Sequence, residues 1–411
     1  MSEFIMAQKN GRSIPLEDKI FGISRLANEM IAEKGKESVI NATIGALLDD
    51  QGELVVLSSV VDVLKNLAPA DYAAYAPIGG TAEFKDSIKK AAFGKYEPKC
   101  FTEAVATPGG TGAIRNTISN YSQVGDQILT SDWYWANYSS IAGELGRGSV
   151  TFELFDDQGH FNIGSLQKQV RSLLDKQESL VLIINTPAHN PTGYSLTLED
   201  WDDVLSVLQA EAKGDKKIAL LVDVAYIDFA GDSNEYRAFL PKLENLPANI
   251  LPIISYSTSK TFTLYGMRCG AMICMTPVKS IAEEFLRVCQ FSSRASWSNC
   301  NRAAMVVLAK IYEDPALLSK VDEERDFYRE LLVKRGKAFE EEAAKAGLKM
   351  VPFDAGFFAS IPCKDPDAVC KNLQKEGIFA VPLAKGLRVS IASINENQCR
   401  LLPAKIVEAL G

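Results

Sequence analysis

Runs of consecutive apolar residues, rather than alternating ones, mark the middle of the chain. SLVLIINTP from Ser179, IALLVDVAY from Ile218 and ILPIISYS from Ile250 are each largely apolar and each closes on polar or turn residues. A strand with one face in water alternates; a strand covered on both faces does not, and the central strands of parallel sheets read this way. Between the first two runs, LEDWDDVLSVLQAEAK spaces its apolar residues at helical intervals, and Thr197 just ahead of it is a candidate N-cap. GAMICMT, from Gly270, reads as one more strand. Strand, helix and strand in succession form the βαβ pattern. The expected fold class is therefore α/β, a mostly parallel central sheet sandwiched by helices.

Beyond residue 320 the pattern changes. DEERDFYRELLVKRGKAFEEEAAKAG, from Asp322, reads as one long charged amphipathic helix, and GFFASIP and LRVSIAS read as strands with helices around them. The expected organisation is an N-terminal arm joined to part of a small domain over residues 1–55, a large ligand-binding domain over 56–320, and the rest of a smaller α+β domain over 321–411. A chain of 411 residues is longer than one hydrophobic core usually serves, which agrees with a large and a small unit. No repeat of fixed period and no low-complexity block interrupts it.

Composition narrows the partners. A hydrophobic share of 47% with 23% charged residues is ordinary for a globular protein. The net charge of -8 supplies no general attraction to nucleic acid or to an anionic membrane. No apolar run is long enough to span a bilayer, and the opening MSEFIMAQKNGRSIPLEDK lacks the apolar core and cleavage site of a secretory signal. Eight cysteines are scattered without a CxxC pair, as reduced thiols in a cytoplasmic protein would be. With two histidines, His160 and His189, a multi-histidine metal centre is excluded, and no Cys/His spacing suits zinc.

Ligands of open α/β sheets bind beyond the carboxyl ends of the strands, so the polar residues just past the apolar runs carry the candidate chemistry. Four stretches qualify. In TPGGTGAIRN, glycines lead into a helical pattern at Ala113, so that bare N–H groups and the Thr111 hydroxyl would face an anion; an ordinary glycine turn has the same look. In TPAHNPTG, Asn190 is held extended by the proline after it, as it would be in a plain turn. In VDVAY, Asp223 closes a buried aliphatic run and needs a partner, with Tyr226 close by. The two would grip an aromatic nitrogen heterocycle and its hydroxyl, or else serve as a helix cap and a core tyrosine. In SYSTSKTFTLYGMRCG, Lys260 follows a strand between Ser259 and Thr261, and Arg268 stands between glycine-flanked residues. A lysine in a partly apolar site becomes a Schiff-base nucleophile, and the arginine fork suits a phosphate; two surface cations are the plainer alternative.

Together the four describe one ligand, a phosphorylated pyridine aldehyde. The lysine takes the aldehyde, the glycine–threonine turn and the arginine take the phosphate, and the aspartate keeps the ring nitrogen protonated. That ligand is pyridoxal 5′-phosphate.

The order GGTGA, W-x-N, NPTG, DxAY, SxSKxFxLYxxRxG and a late arginine resembles the fold-type I pyridoxal-phosphate aminotransferases of class I and II, nearest to the aspartate and aromatic branch, over roughly residues 40–395. The resemblance implies that Lys260 carries the Schiff base and later shuttles the proton, that Asp223 pairs with the pyridinium nitrogen, and that Tyr226 and Asn190 bond the ring hydroxyl. Gly110, Thr111, Ser257 and Arg268, with Ser259, would hold the phosphate, and Trp135 would lie against the ring. Tyr75, in AYAPIGG, matches a tyrosine that reaches the phosphate of a neighbouring subunit. Arg388, in GLRVSIAS, matches the arginine that grips the substrate α-carboxylate, with Gly45 beside it. Arg294, in SSRASWSN, aligns with the arginine that crosses from the partner to read a side-chain carboxylate, accompanied by Ser298.

Three departures stand out. Tyr138 replaces the histidine that usually buttresses the aspartate, Thr43-Ile44-Gly45 replaces GVG, and Cys300-Asn301 replaces a usual Pro-Pro. The implied activity is ping-pong amino transfer through pyridoxamine phosphate between a 2-oxo acid and an L-amino acid, aspartate or another dicarboxylic or aromatic one. The implied assembly is a homodimer with shared sites. A lyase or decarboxylase on the same fold is the alternative. A DNA-binding regulator would need a basic recognition module that the first 40 residues lack, and a nucleotide enzyme would need a complete Walker or dinucleotide fingerprint.

Overall fold

A computed structural model describes residues 5–7, 18–231 and 235–411. The N-terminal arm expected over 1–55 therefore lies partly outside the described residues. The strands are β1 (Ile40–Asn41), β2 (Phe101–Thr107), β3 (Gln127–Ser131), β4 (Gly148–Phe152), β5 (Ser179–Asn185), β6 (Lys217–Asp223), β7 (Ile250–Ser257), β8 (Gly270–Thr276), β9 (Phe358–Pro362), β10 (Ile378–Phe379), β11 (Val381–Pro382) and β12 (Gly386–Ser390).

Strands β2 to β8 form one sheet in the order β2-β8-β7-β6-β5-β3-β4. The three apolar runs are its centre, and they run parallel to one another. Along each, successive side chains serve different cores. Leu180, Leu182, Leu220 and Val222 belong to the cluster that holds Trp201, while Val181, Ile183, Ala219 and Leu221 belong to the one that holds Ile114 and Phe285. Both faces of the sheet are covered, so the period-2 pattern persists in space while the sequence reads as continuously apolar. The helix Leu198–Glu211 starts where Thr197 caps it, with Asp200 completing a capping box.

Strand β8 runs antiparallel to both β7 and β2. Between β7 and β8 the chain holds no helix longer than one turn, so it has no crossover element to return the strand in parallel.

A second, antiparallel sheet has the order β11-β12-β9, and its core contains Phe339, Ile361, Leu387, Val389 and Leu402. The short parallel pairing of β1 with β10 brings the segment near residue 40 to this unit. The long helix is Pro315–Ala346 and begins ahead of the expected Asp322, because Asp314 caps it and Pro315 occupies its first turn. Val321 near its start and Leu332 at its middle pack in the main core, and Ala338, Phe339 and Ala343 near its end pack in the small one. One helix thus belongs to both.

The same helix caps a distant one. Helix Ser58–Lys65 has no side-chain cap of its own. The Glu324 carboxylate accepts the Ser58 N–H at 3.1 Å, the Ser59 N–H at 3.2 Å and both serine hydroxyls. Burial pushes the Glu324 pKa up, but the Ser58 and Ser59 bonds outweigh it and hold it below the ordinary value. A depressed carboxylate contributes stability above its unfolded pKa and loses it as pH falls through the folded one. Glu324→Gln is expected to lower unfolding stability by about 1 kcal/mol at neutral pH. In urea titrations the difference should shrink towards zero as pH falls below about 4.

Candidate active site

The register of the central strands sets Asn185, Asp223 and Ser255 side by side at the carboxyl edge of the sheet. A cavity of about 560 Å³ opens there between the main sheet and the small unit. Its floor is Asp223, at the last position of β6 and 6% exposed. The carboxylate accepts the Tyr138 hydroxyl at 2.6 Å and the Ala225 N–H at 3.3 Å. Burial raises its pKa, opposed by those two bonds and by Lys260. Among the described residues no cation pairs with it directly.

A ladder of amides leads away from this floor. Asn185 Nδ2 donates to the Asp223 carbonyl at 2.7 Å, and Asn185 Oδ1 accepts the Asn190 N–H at 2.7 Å. Asn190 Nδ2 then donates to the Tyr226 hydroxyl at 3.4 Å, while Asn190 Oδ1 accepts Arg388 Nη1 at 3.4 Å. Arg388 is 4% exposed on β12, donates to the Thr43 carbonyl at 2.7 Å, and lies over the Phe358 ring at 4.3 Å from its centroid. Its buried Nε has no partner. Burial lowers its pKa to about 10, opposed by Tyr226. A buried guanidinium with one idle donor and no carboxylate at hand fits an anionic group arriving from outside.

Lys260 sits in the single-turn helix Thr258–Thr261 that follows β7. Its Nζ lies 5.6 Å from the Tyr226 ring centroid and 5.3 Å from that of Tyr265. Burial, with the nearby Arg268 and Arg388, lowers its pKa to about 8 against the pull of Asp223. The amine is therefore substantially neutral near pH 8 and nucleophilic.

The helix Gly109–Tyr121 points its N-terminus into the same cavity, with Gly110 and Thr111 in its first turn. It starts ahead of the expected Ala113, so those N–H groups belong to the helix end itself. Gly109 has φ +69°, and a Cβ there would come 2.6 Å from Arg268 Nη2. Its bareness lets the guanidinium close on the helix end. Arg268 donates to Ser259 Oγ at 3.1 Å and to the Tyr265 carbonyl at 3.0 Å, and Ser257 caps the lysine turn. Helix N–H groups, hydroxyls and a guanidinium converge as an anion cradle.

Gly45, Gly110, Thr111, Trp135, Asn190, Asp223, Tyr226, Ser257, Ser259, Lys260, Arg268 and Arg388 all line this one cavity. Three anticipated residues do not. Tyr75 is 88% exposed, and Arg294 is exposed on helix Lys279–Ser296, donating to Ser298 Oγ at 2.6 Å. The cavity also takes in Asn185, Tyr265, Phe358 and residues 18–21 at the start of helix Lys19–Lys34. Asn185 is signalled by the polar end of its strand and Tyr265 by its place in the LYxxR motif; Phe358 and residues 18–21 carry no local mark. Tyr138 was visible as a departure, but its bond to Asp223 was not.

The sequence model of the family described as aminotransferase class I and II matches residues 37–406. The chain belongs to that family. This aminotransferase is 24% identical over 404 residues to an aspartate aminotransferase of Pseudomonas aeruginosa, covering 96% of this chain and 97% of that protein. It is 25% identical over 310 residues to the aromatic-amino-acid aminotransferase of Escherichia coli, covering 72% and 75%. Among solved structures, an aminotransferase from Anaerococcus prevotii superposes with a TM-score of 0.97 at 38% identity, covering 99% of this chain and 100% of that one. An aromatic-amino-acid aminotransferase from Burkholderia pseudomallei, covalently bound to pyridoxal phosphate, shares the fold with a TM-score of 0.79 at 22% identity, covering 99% and 100%. The reaction class of the aminotransferase is amino-group transfer, and its cofactor is pyridoxal 5′-phosphate.

The residues present fit that cofactor. Lys19, Lys260, Arg268 and Arg388 line the cavity against two carboxylates, Asp18 and Asp223, so it has cationic charge to spare for a phosphate and a carboxylate. Asp223 in turn lacks the cation that a ring N–H would supply. In the cofactor-free aminotransferase, acylation of Lys260 followed by peptide mass spectrometry should rise with a midpoint near pH 8. Surface lysines should react with midpoints around 10.4. A Lys260 midpoint at the surface value would contradict the burial argument.

Proposed function

We propose that the chain transfers the amino group of an L-amino acid, aspartate or another dicarboxylic or aromatic one, to a 2-oxo acid by a ping-pong route. The observation that carries this reading is the enclosure of Lys260, Asp223, Arg268 and Arg388 in one cavity. Pyridoxal 5′-phosphate, when bound, supplies the aldehyde and the electron-withdrawing ring. Asp223 would hold a proton at the ring nitrogen, its own charge favoured by the Tyr138 and Ala225 bonds against burial. Tyr226 and Asn190 would bond the ring hydroxyl, and Trp135 would lie against the ring. Gly110, Thr111, Ser257, Ser259 and Arg268 would hold the phosphate. Arg388 would orient the substrate α-carboxylate, with Gly45 beside it leaving room. Lys260 Nζ, neutral near pH 8, would accept the substrate α-proton and return it as general acid.

The site is read as shared between two copies. Tyr75 and Arg294 lie outside this chain's cavity, so a role at a phosphate or a distal carboxylate requires them to act on a partner, with Ser298 beside Arg294 at the interface. Exposed Tyr72, at 57%, and Phe291, at 77%, add apolar surface that a homodimer would cover. Residues 56–320 are taken as the cofactor-holding unit, with 1–55 and 321–411 as the smaller one, the long helix running through both. Among the described residues no helix is long and apolar enough to cross a membrane, and a cytoplasmic location is proposed from the unpaired cysteines.

Purified protein supplied with the cofactor should show a visible absorbance band that Lys260→Ala lacks and that added aspartate discharges; a protein without the band would refute the reading. Arg388→Gln is expected to raise the KM for the amino acid roughly 10- to 100-fold, since it removes a charge-assisted pair. Arg294→Ala should cut kcat/KM for aspartate about tenfold or more and leave phenylalanine within about twofold. Equal losses on both substrates would remove Arg294 from side-chain recognition.

A further inference from the structure

The turn that carries Lys260 cannot hold its own shape. Isolated helices shorter than about 12 residues are marginal in water, and Thr258–Thr261 has 4. Its start is pinned by the Ser257 cap and by the Thr258 hydroxyl, which donates to the Cys269 carbonyl at 2.9 Å. Its end rests on a carboxylate outside the cavity. Asp228 Oδ2 accepts the Thr261 hydroxyl at 2.7 Å and the Tyr256 hydroxyl at 3.1 Å, while Oδ1 accepts Arg237 Nη2 at 2.6 Å.

The placement is specific. Thr261 follows Lys260 directly, and Tyr256 lies on the strand that leads into the turn. Asp228 belongs to the short 3-10 turn Ile227–Phe229, immediately after Tyr226. The segment that shows Asp223 and Tyr226 to the cavity therefore sends its next carboxylate behind the lysine turn. Asp228 is 3% exposed and does not line the cavity. Arg237 also donates to the Ala91 and Ala92 carbonyls at the end of helix Ala82–Phe93. Arg325, paired with Asp322, approaches from the long helix and lies 5.7 Å from the Phe262 ring centroid. Burial alone would raise the Asp228 pKa; Arg237 and Arg325, with the Thr261 hydroxyl, outweigh it and hold the group near 2. An ion pair needed only to stabilise the fold would be complete with Arg237. Here the second oxygen is spent on two hydroxyls that flank the lysine.

We propose that Asp228 is a positioning residue for Lys260, acting through the Thr261 hydroxyl to fix the direction of Nζ. The inference rests on the role given to Lys260 above. Its test is the near-isosteric Thr261→Val, with Thr261→Ser as the rescue, because Asp228→Asn would also break the buried ion pair of Asp228 with Arg237. Three quantities are read on protein supplied with pyridoxal 5′-phosphate: kcat, KM, and the pH midpoint of the visible absorbance band. Thermal unfolding of the cofactor-free protein is read alongside.

Thr261→Val is expected to lower kcat about tenfold with KM within about twofold, and to move the band midpoint by roughly half a pH unit. Thr261→Ser should restore both to within about twofold of wild type. Unchanged kcat and midpoint in Thr261→Val, whatever the thermal shift, would overturn the proposal, and so would a loss that serine does not restore. Should the valine variant not fold, Tyr256→Phe removes the companion hydroxyl and is read by the same midpoint, an unmoved value again overturning it. A wild-type protein without a Lys260-dependent band would refute the Lys260 assignment. A normal wild type with an indifferent Thr261→Val would refute only the role of Asp228.

Discussion

A carboxylate withdrawn from water stays ionised only where something answers its charge, and among the described residues Asp223 is hydrogen-bonded by a phenol hydroxyl and one N–H, with no cation in direct contact. Much of the cavity is arranged around that shortfall. Lys260 helps to hold the aspartate ionised from across the cavity, yet burial and two guanidiniums lower the lysine's own hold on its proton. Arg388 keeps its charge against burial with no carboxylate beside it among the described residues. Among the described residues each group lacks a directly bonded charge partner, which a phosphorylated cationic ring and an amino-acid carboxylate would provide. The unmet electrostatics of the protein alone describe the ligand set.

Holding such groups in place requires a rigid frame, and the frame is the parallel sheet. Strands in matched register end at one level, so Asn185, Asp223 and Ser255 form a row without any loop having to place them. From that row the amides of Asn185 and Asn190 carry the geometry to Tyr226 and on to Arg388, which lies on the other sheet. The cavity therefore spans two cores. The long helix packs in both and caps Ser58–Lys65 through Glu324.

The anion cradle shows the same economy. A helix end, two serines and Arg268 meet beside Gly109, whose φ of +69° is a conformation that other residues rarely adopt. The lysine turn, too short to be stable alone, is held at both ends by side chains from elsewhere. Function here depends on segments with little stability of their own, fixed by buried polar contacts that leave little freedom for error.

The sequence by itself determined what local windows can encode. The central strands showed as apolar runs, the cap at Thr197 stood just ahead of its helix, and the polar strand ends marked Asn190, Asp223, Lys260 and Arg268 as the chemistry of the chain. Motif order then pointed to one family. The tertiary structure alone decided what depends on distant pairings. It turned β8 antiparallel and brought Tyr138 onto Asp223 from 85 residues away. It set Glu324 over a helix end 266 residues away and put Asp228 behind the lysine turn. It also left Tyr75 and Arg294 outside this chain's own cavity. The physical reason is that backbone period and capping act within a few residues, while a buried hydrogen bond or charge pair is defined only once the packing that excludes water has formed.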